Sequence, residues 1–121
     1  MTEAALMRRI MLALSAAGAV VFRNNQGAFK DQTGRLVRYG VCQPGGADVI
    51  GWRSVEITPD MVGQRLAVFV GVEVKTERGR LTGPQRQFLA ALSEAGGIAG
   101  AARSEAEAVA MLGRTVAAAE R

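Results

Sequence analysis

Leu66-Ala67-Val68-Phe69-Val70-Gly71-Val72-Glu73-Val74-Lys75 is the most regular run of the chain, and a shorter apolar run, Ile98-Ala99-Gly100-Ala101-Ala102, follows it. Side chains along a strand alternate between faces, so Leu66, Val68, Val70, Val72 and Val74 share one face and Ala67, Phe69, Gly71, Glu73 and Lys75 the other. Between the two runs, Thr82 or Gly83 caps a helix with Pro84 in its first turn. Phe88, Leu89 and Leu92 carry that helix, and Gly96 and Gly97 stop it. Strand, helix and strand in this order is a crossover. It predicts an α/β fold with a central mixed β-sheet flanked by helices.

Working outward, Leu6, Ile10 and Leu14 recur every four residues between Thr2 and Ala17, with Met7 and Met11 beside them, the stripe of an amphipathic helix that Gly18 ends. Ala19 to Arg23 reads as a strand, with Asn24, Asn25, Gln26 and Gly27 as the turn after it. Leu36 to Val41 reads as a second strand. Pro44, Gly45 and Gly46 break the chain before a third, Ala47 to Trp52, and Val55 to Ile57 is a candidate fourth. Thr58, Pro59 and Gly63 mark a single helical turn. Beyond Ile98 to Ala102, Ser104 and Glu107 have capping-box spacing and open a final helix reaching about Ala119. The predicted order is αβββ(β)βαβα, without repeats or a low-complexity linker. At 121 residues the chain is expected to form a single domain over residues 1–121.

Composition narrows the chemistry. There is no His and one Cys, Cys42, which excludes a zinc finger, a Cys/His nucleophile pair, a Ser-His-Asp triad and an intramolecular disulfide. Any metal is therefore expected on oxygen ligands. No Gly-x-Gly-x-x-Gly fingerprint or Gly-Lys-Ser/Thr loop supports a nucleotide-binding enzyme. No window approaches the about 18 apolar residues needed to span a bilayer, and Arg8 and Arg9 with no cleavage site make a poor signal peptide, so a cytoplasmic protein without a membrane partner is expected. Net charge is +4, and 13 of the 15 basic residues are Arg, concentrated between residues 23 and 86. Arg suits bidentate contact with phosphate, and a basic surface of this kind is compatible with nucleic acid.

Three charged residues sit where strand interiors are usually apolar: Asp48, Glu73 and Lys75. Buried charge is costly unless paired or bound to a cation. Glu73 and Lys75, two apart, project the same way. If the Asp48 strand lies alongside, two carboxylates and an ammonium converge, a layout for a hard divalent cation with a backbone carbonyl and waters completing its shell. Lys75 would then orient the attacking water and stabilise charge developing on phosphate. Set against this, Glu-x-Lys in a strand is commonly an exposed charge ladder. Three features favour the site: the apolar strand that Glu73 and Lys75 close, the preceding Asp-bearing strand, and Gln85, which falls on the Phe88, Leu89 and Leu92 face of its helix and so points toward the sheet. Trp52 and Cys42 read as packing residues.

Gly46-Ala47-Asp48-Val49-Ile50-Gly51, Met61-Val62-Gly63, Val72-Glu73-Val74-Lys75, Gly79-Arg80-Leu81-Thr82-Gly83-Pro84-Gln85 and Gly96-Gly97-Ile98-Ala99 together resemble the VRR-NUC domain. This is the virus-type replication-repair nuclease branch of the PD-(D/E)XK superfamily, here similar to its compact stand-alone phage and prophage form over about residues 3 to 113. The resemblance implies metal-dependent phosphodiester hydrolysis, with Asp48, Glu73 and the Val74 carbonyl binding Mg²⁺ or Mn²⁺ and Lys75 as the catalytic lysine. It also implies Gln85 beside the site and an acid in the first helix near the metal. Glu3 fits that acid, one turn before Leu6 and Met7 on the stripe expected to be buried; an acid in a first helical turn is also what the helix dipole favours. In one departure, Asp48 follows Ala47 where the superfamily name would place Pro, and the nearest proline is Pro44.

Arg23, Asn24 and Asn25 at a strand end, Lys30, Arg35 and Arg38 about a turn, and Arg78, Arg80 and Arg86 around the loop into the second helix are candidate DNA contacts, suited to neutralising phosphates. The leading expectation is a Mg²⁺- or Mn²⁺-dependent endonuclease selective for branched DNA such as four-way junctions or flaps. A homodimer would present two sites to a junction, with the Ala-rich first or last helix as its contact, and phage replication or packaging proteins are possible partners. The alternative is a DNA-binding accessory domain of the same fold that cuts nothing.

Overall fold

The structure, a computed structural model, describes residues 2–113. The chain forms two compact units, Met1–Arg53 and Ser54–Arg121. Helices and small sheets make it a small α/β fold.

The first unit begins with helix α1 (Glu3–Ala16), whose N-cap Thr2 accepts a hydrogen bond from the Ala5 amide at 3.1 Å. Gly18 ends it at φ 102°, where the Gly18 and Ala19 amides close back on the Ser15 and Leu14 carbonyls. Strand β1 (Val20–Arg23) pairs antiparallel with β4 (Val49–Trp52), Val20 opposite Trp52 and Arg23 opposite Val49. Strands β2 (Gly27–Lys30) and β3 (Leu36–Tyr39) form an antiparallel hairpin.

The second unit carries a short 3-10 turn (Pro59–Met61), then strand β5 (Val70–Val74), helix α2 (Gly83–Glu94), strand β6 (Ile98–Ala102) and helix α3 (Glu105–Met111). Strands β5 and β6 are parallel, Val70 beside Ile98 and Val74 beside Ala102, so the expected crossover is present. A Cβ on Gly71 would lie 2.8 Å from Leu92 Cδ2 and 3.4 Å from Phe88 Cε1, which puts α2 on the face of Gly71, Glu73 and Lys75. On the opposite face, Ile98 and Ala102 pack with Met111 of α3. Leu92 and Met111 are the largest fully buried side chains among the described residues. None of the helices of the described residues is long and apolar enough to cross a membrane.

Several expectations need correction. Residues 24–26 leave β1 outside any element, as expected of a turn, but Gly27 already belongs to β2, a strand the sequence reading lacks. The turn joining β2 to β3 lies at residues 31–35, where the Asp31 carboxylate accepts bonds from the Thr33 amide and hydroxyl and from the Arg35 amide. Val55 and Ile57 lie exposed outside any ladder. The ladder on the Leu66 to Lys75 run is confined to Val70–Val74, because its partner β6 has only five residues. At α3 the Ser104 hydroxyl accepts from the Glu107 amide, but the Glu107 carboxylate takes the Arg103 amide rather than returning to Ser104. The helix itself reaches Met111, and the expected extension toward Ala119 lies outside the described residues beyond Gly113.

Helix α1 also departs from expectation: none of its residues is buried, and Leu6, Ile10 and Leu14 are exposed. It packs against β1, and a four-residue strand is too short to cover a four-turn stripe. Cys42 is exposed with φ 60°, not buried, because it sits in the loop between β3 and β4. Trp52 is half-buried, its ring 5.5 Å from that of Phe22. The ladders of the described residues are three two-stranded sheets, two antiparallel and one parallel.

Candidate functional site

In the second unit the crossover places three predicted residues together. Glu73 and Lys75 project from the C-terminal end of β5 on the α2 face, and Gln85 opens α2. The Lys75 Nζ stands 3.8 Å from Glu73 Oε1, with the two side chains 18% and 33% exposed. Gln85 Nε2 donates to the same Glu73 oxygen at 2.8 Å.

Gln85 is held by its own helix. Its Oε1 accepts from the Thr82 amide at 2.9 Å while Thr82 Oγ1 accepts from the Gln85 amide at 3.2 Å, a complete capping box. The amide is thereby oriented, since the oxygen spent on Thr82 turns the nitrogen toward Glu73. The capping box serves the helix and the carboxylate together.

The loop after Lys75 is fastened by Arg103, whose Nη1 donates to the Thr76 carbonyl at 2.6 Å and the Gly79 carbonyl at 2.8 Å. Arg103 escapes a reading of the sequence because a lone Arg after a strand carries no distinguishing pattern. Arg86, expected to meet DNA, donates to the Leu81 carbonyl at 3.0 Å, and Arg78 and Arg80 are exposed beside it.

In the first unit Asp48 is exposed at the entry to β4, and its backbone carbonyl accepts from the Asn24 amide at 2.8 Å. With Met7, Arg23, Asn24, Asn25, Gln26 and Tyr39 it lines a cavity of about 370 Å³. Asn24 is buried and its side chain is turned inward, so it is not a surface DNA contact as expected; burial of its amide is invisible in a polar run of four residues. Glu3 is exposed at the first position of α1, not on a buried stripe. Lys30 and Arg38 share one face of the β2–β3 hairpin, as their pairing with Leu36 and Ala28 requires, and Phe29 and Tyr39 share the other with rings 6.4 Å apart. Arg35 lies in the turn.

Two carboxyls outside these clusters are perturbed. The Thr33 hydroxyl, with the Arg35 amide, holds Asp31 below the usual carboxylate range, and the Thr58 hydroxyl does the same for Asp60.

Among the described residues of either unit, no group of three or more Cys, Asp or Glu side chains is placed to hold a metal ion by itself. What Glu73 offers is chemically apt for a hard cation: Oε1 is engaged by Gln85 and Lys75, while Oε2 accepts no bond among the described residues. The Ile98 to Phe69 and Lys75 to Ala102 bonds direct the odd-numbered backbone groups of β5 toward β6. The Val74 carbonyl therefore points to the other edge of the strand, where it takes part in no ladder among the described residues.

A carboxylate, an ammonium and an amide are thus gathered at the end of a parallel strand on an α/β frame, in a chain of net charge +4. A model of the VRR-NUC domain matches residues 18–106, and the chain belongs to that family. Neither the curated proteins nor the solved structures gave a significant match.

Proposed function

We propose that the chain is a divalent-metal-dependent DNA endonuclease, a single nuclease domain. Its substrate class is branched DNA, four-way junctions or flaps, met in the cytoplasm of a phage-infected or prophage-bearing cell during replication, repair or recombination. The observation that carries the reading is the Glu73 carboxylate, held at one oxygen by Gln85 with Lys75 beside it and open at the other.

Glu73, the Val74 carbonyl and Asp48 would hold Mg²⁺ or Mn²⁺, with Glu3 as a further acid of the first helix. Such a cation, when bound, polarises phosphate and lowers the pKa of water. The chain's own part is electrostatic. Gln85 fixes the Glu73 carboxylate in one orientation, and the Lys75 ammonium, partly withdrawn from solvent, stabilises charge that grows on the scissile phosphate. Arg23, Asn25, Lys30, Arg35, Arg38, Arg78, Arg80 and Arg86 would neutralise backbone phosphates and align the strand to be cut. A homodimer would set two such sites on a four-way junction, with replication or packaging proteins as further partners.

The test is cleavage of labelled four-way junction, flap and linear duplex DNA with Mg²⁺, Mn²⁺ or EDTA, beside Lys75→Ala. Metal-dependent cutting that EDTA and Lys75→Ala abolish is expected. DNA binding without cutting under any metal would replace the reading with that of an accessory domain.

A further inference from the structure

The Asp48 carboxylate accepts no hydrogen bond among the described residues, so only its backbone fixes where it stands. That backbone is not secured by a ladder on its approach: residues 40–48 precede β4, and Gly40, Cys42 and Gly45 all have positive φ. The segment is held by two side chains, Asn24 at both of its ends and Gln26 beside it. Asn24, 7% exposed, is the buried polar residue among the described residues. Its Oδ1 accepts from the Val41 amide at 2.8 Å, and its Nδ2 donates to the Val41 carbonyl at 3.0 Å and the Ala47 carbonyl at 2.9 Å. Its backbone amide adds the 2.8 Å bond to the Asp48 carbonyl. Gln26 Nε2 donates to the Gly46 carbonyl at 2.9 Å from the same side.

Both ends of the loop are therefore joined to one buried amide, which spends both donors and its acceptor there. A buried amide must be satisfied to be tolerated, and only a polar planar group with a donor and an acceptor can close Val41 and Ala47 together. An aspartate would keep the acceptor and turn an oxygen toward two carbonyls.

We propose that Asn24, assisted by Gln26, is the positioning residue for Asp48, setting the carboxylate for cation binding through the loop of residues 41–47. The role rests on the nuclease reading of Asp48. Amide hydrogen exchange and the Mg²⁺ dependence of junction cleavage, measured on the full chain and on Asn24→Ala, Asn24→Asp and Gln26→Ala, test it. In Asn24→Ala the Val41 amide is expected to exchange about tenfold or more faster while β5 and β6 keep their protection, as loss of a buried partner requires. Half-saturating Mg²⁺ is expected to rise about tenfold, with a smaller loss of rate at saturating Mg²⁺. Asn24→Asp moves the same way, and Gln26→Ala moves less in the same direction.

Unchanged Val41 exchange in Asn24→Ala overturns the clamp. Faster exchange with an unaltered Mg²⁺ requirement overturns the positioning role. If Asn24→Ala does not fold, Gln26→Ala decides, and an unshifted Mg²⁺ requirement there overturns the proposal. An unsubstituted protein that binds no Mg²⁺ and cuts nothing, with Val41 protected, overturns the nuclease reading and with it the role of Asn24.

Discussion

Replacing Gln85 by alanine removes two hydrogen bonds that share one amide, and the structure separates their weights. The bond from the Thr82 amide to Gln85 Oε1 is exposed, so water replaces the lost acceptor and its removal costs about 0.5 kcal/mol. The bond from Gln85 Nε2 to Glu73 is part-buried and ends on a carboxylate, a class worth about 1.5–3 kcal/mol. Because the Glu73 side chain is 33% exposed, solvent screening reduces this to about 1 kcal/mol. Gln85→Ala is thus expected to lower unfolding stability by about 1.5 kcal/mol. The assay is urea unfolding of Gln85→Ala, Glu73→Ala and the double variant, which isolates the pair. Gln85→Glu serves as a control that keeps the capping bond and replaces the donor to Glu73 by a like charge. A coupling near 1 kcal/mol is expected, and one below about 0.3 kcal/mol, the scatter of independent sites, would refute the reasoning.

Gly97→Ala should destabilise by about 1–3 kcal/mol, read from its thermal midpoint. The added Cβ would lie 2.9 Å from Leu92 Cγ and 3.0 Å from the Phe69 carbonyl, and a backbone atom does not yield as a side chain does. For Asp31, the folded carboxyl titrates below its unfolded value. Its contribution is therefore complete above the unfolded pKa and lost as pH falls through the lower folded one; Thr33→Ala should raise the Asp31 midpoint in an NMR titration and shrink that acid-sensitive window. The double variant Lys30→Glu, Arg38→Glu should weaken binding to all duplex sequences alike. Its log–log salt slope, measured by fluorescence anisotropy, should become shallower by about 1 for each phosphate that is no longer neutralised.

The crossover is legible in the sequence because each of its parts has a local cause. Alternation marks the strand, Thr82 and Pro84 mark the helix start, and Gly96 and Gly97 mark its stop; the structure reproduces the helix with Thr82 as its cap and the strand over Val70–Val74. Counting three, four and seven residues from Gln85 to Phe88, Leu89 and Leu92 puts it on the sheet side. The hairpin β2–β3 is legible only in part, since Gly27-Ala28-Phe29-Lys30 has no alternation strong enough to outvote the Asn24 to Gly27 turn signal. It forms because Leu36–Tyr39 lies across from it and Asp31 closes the turn. The α1 stripe is correct as a pattern and wrong as a burial: periodicity states which residues share a face and not how much surface lies opposite.

Local physics, acting over a few residues, determined the crossover's elements, the ends of the first two helices and the exclusion of His- and Cys-based chemistry, and the ordered motifs carried the family. Only the tertiary structure decided which atom meets which: that Gln85 gives its nitrogen to Glu73, that Arg103 fastens the loop after Lys75, and that Asn24 turns inward to hold the approach to Asp48. Each of these bonds joins residues twelve or more positions apart. A hydrogen bond needs its partners placed to within a few tenths of an ångström, and for such residues only the packing of helices on strands supplies that.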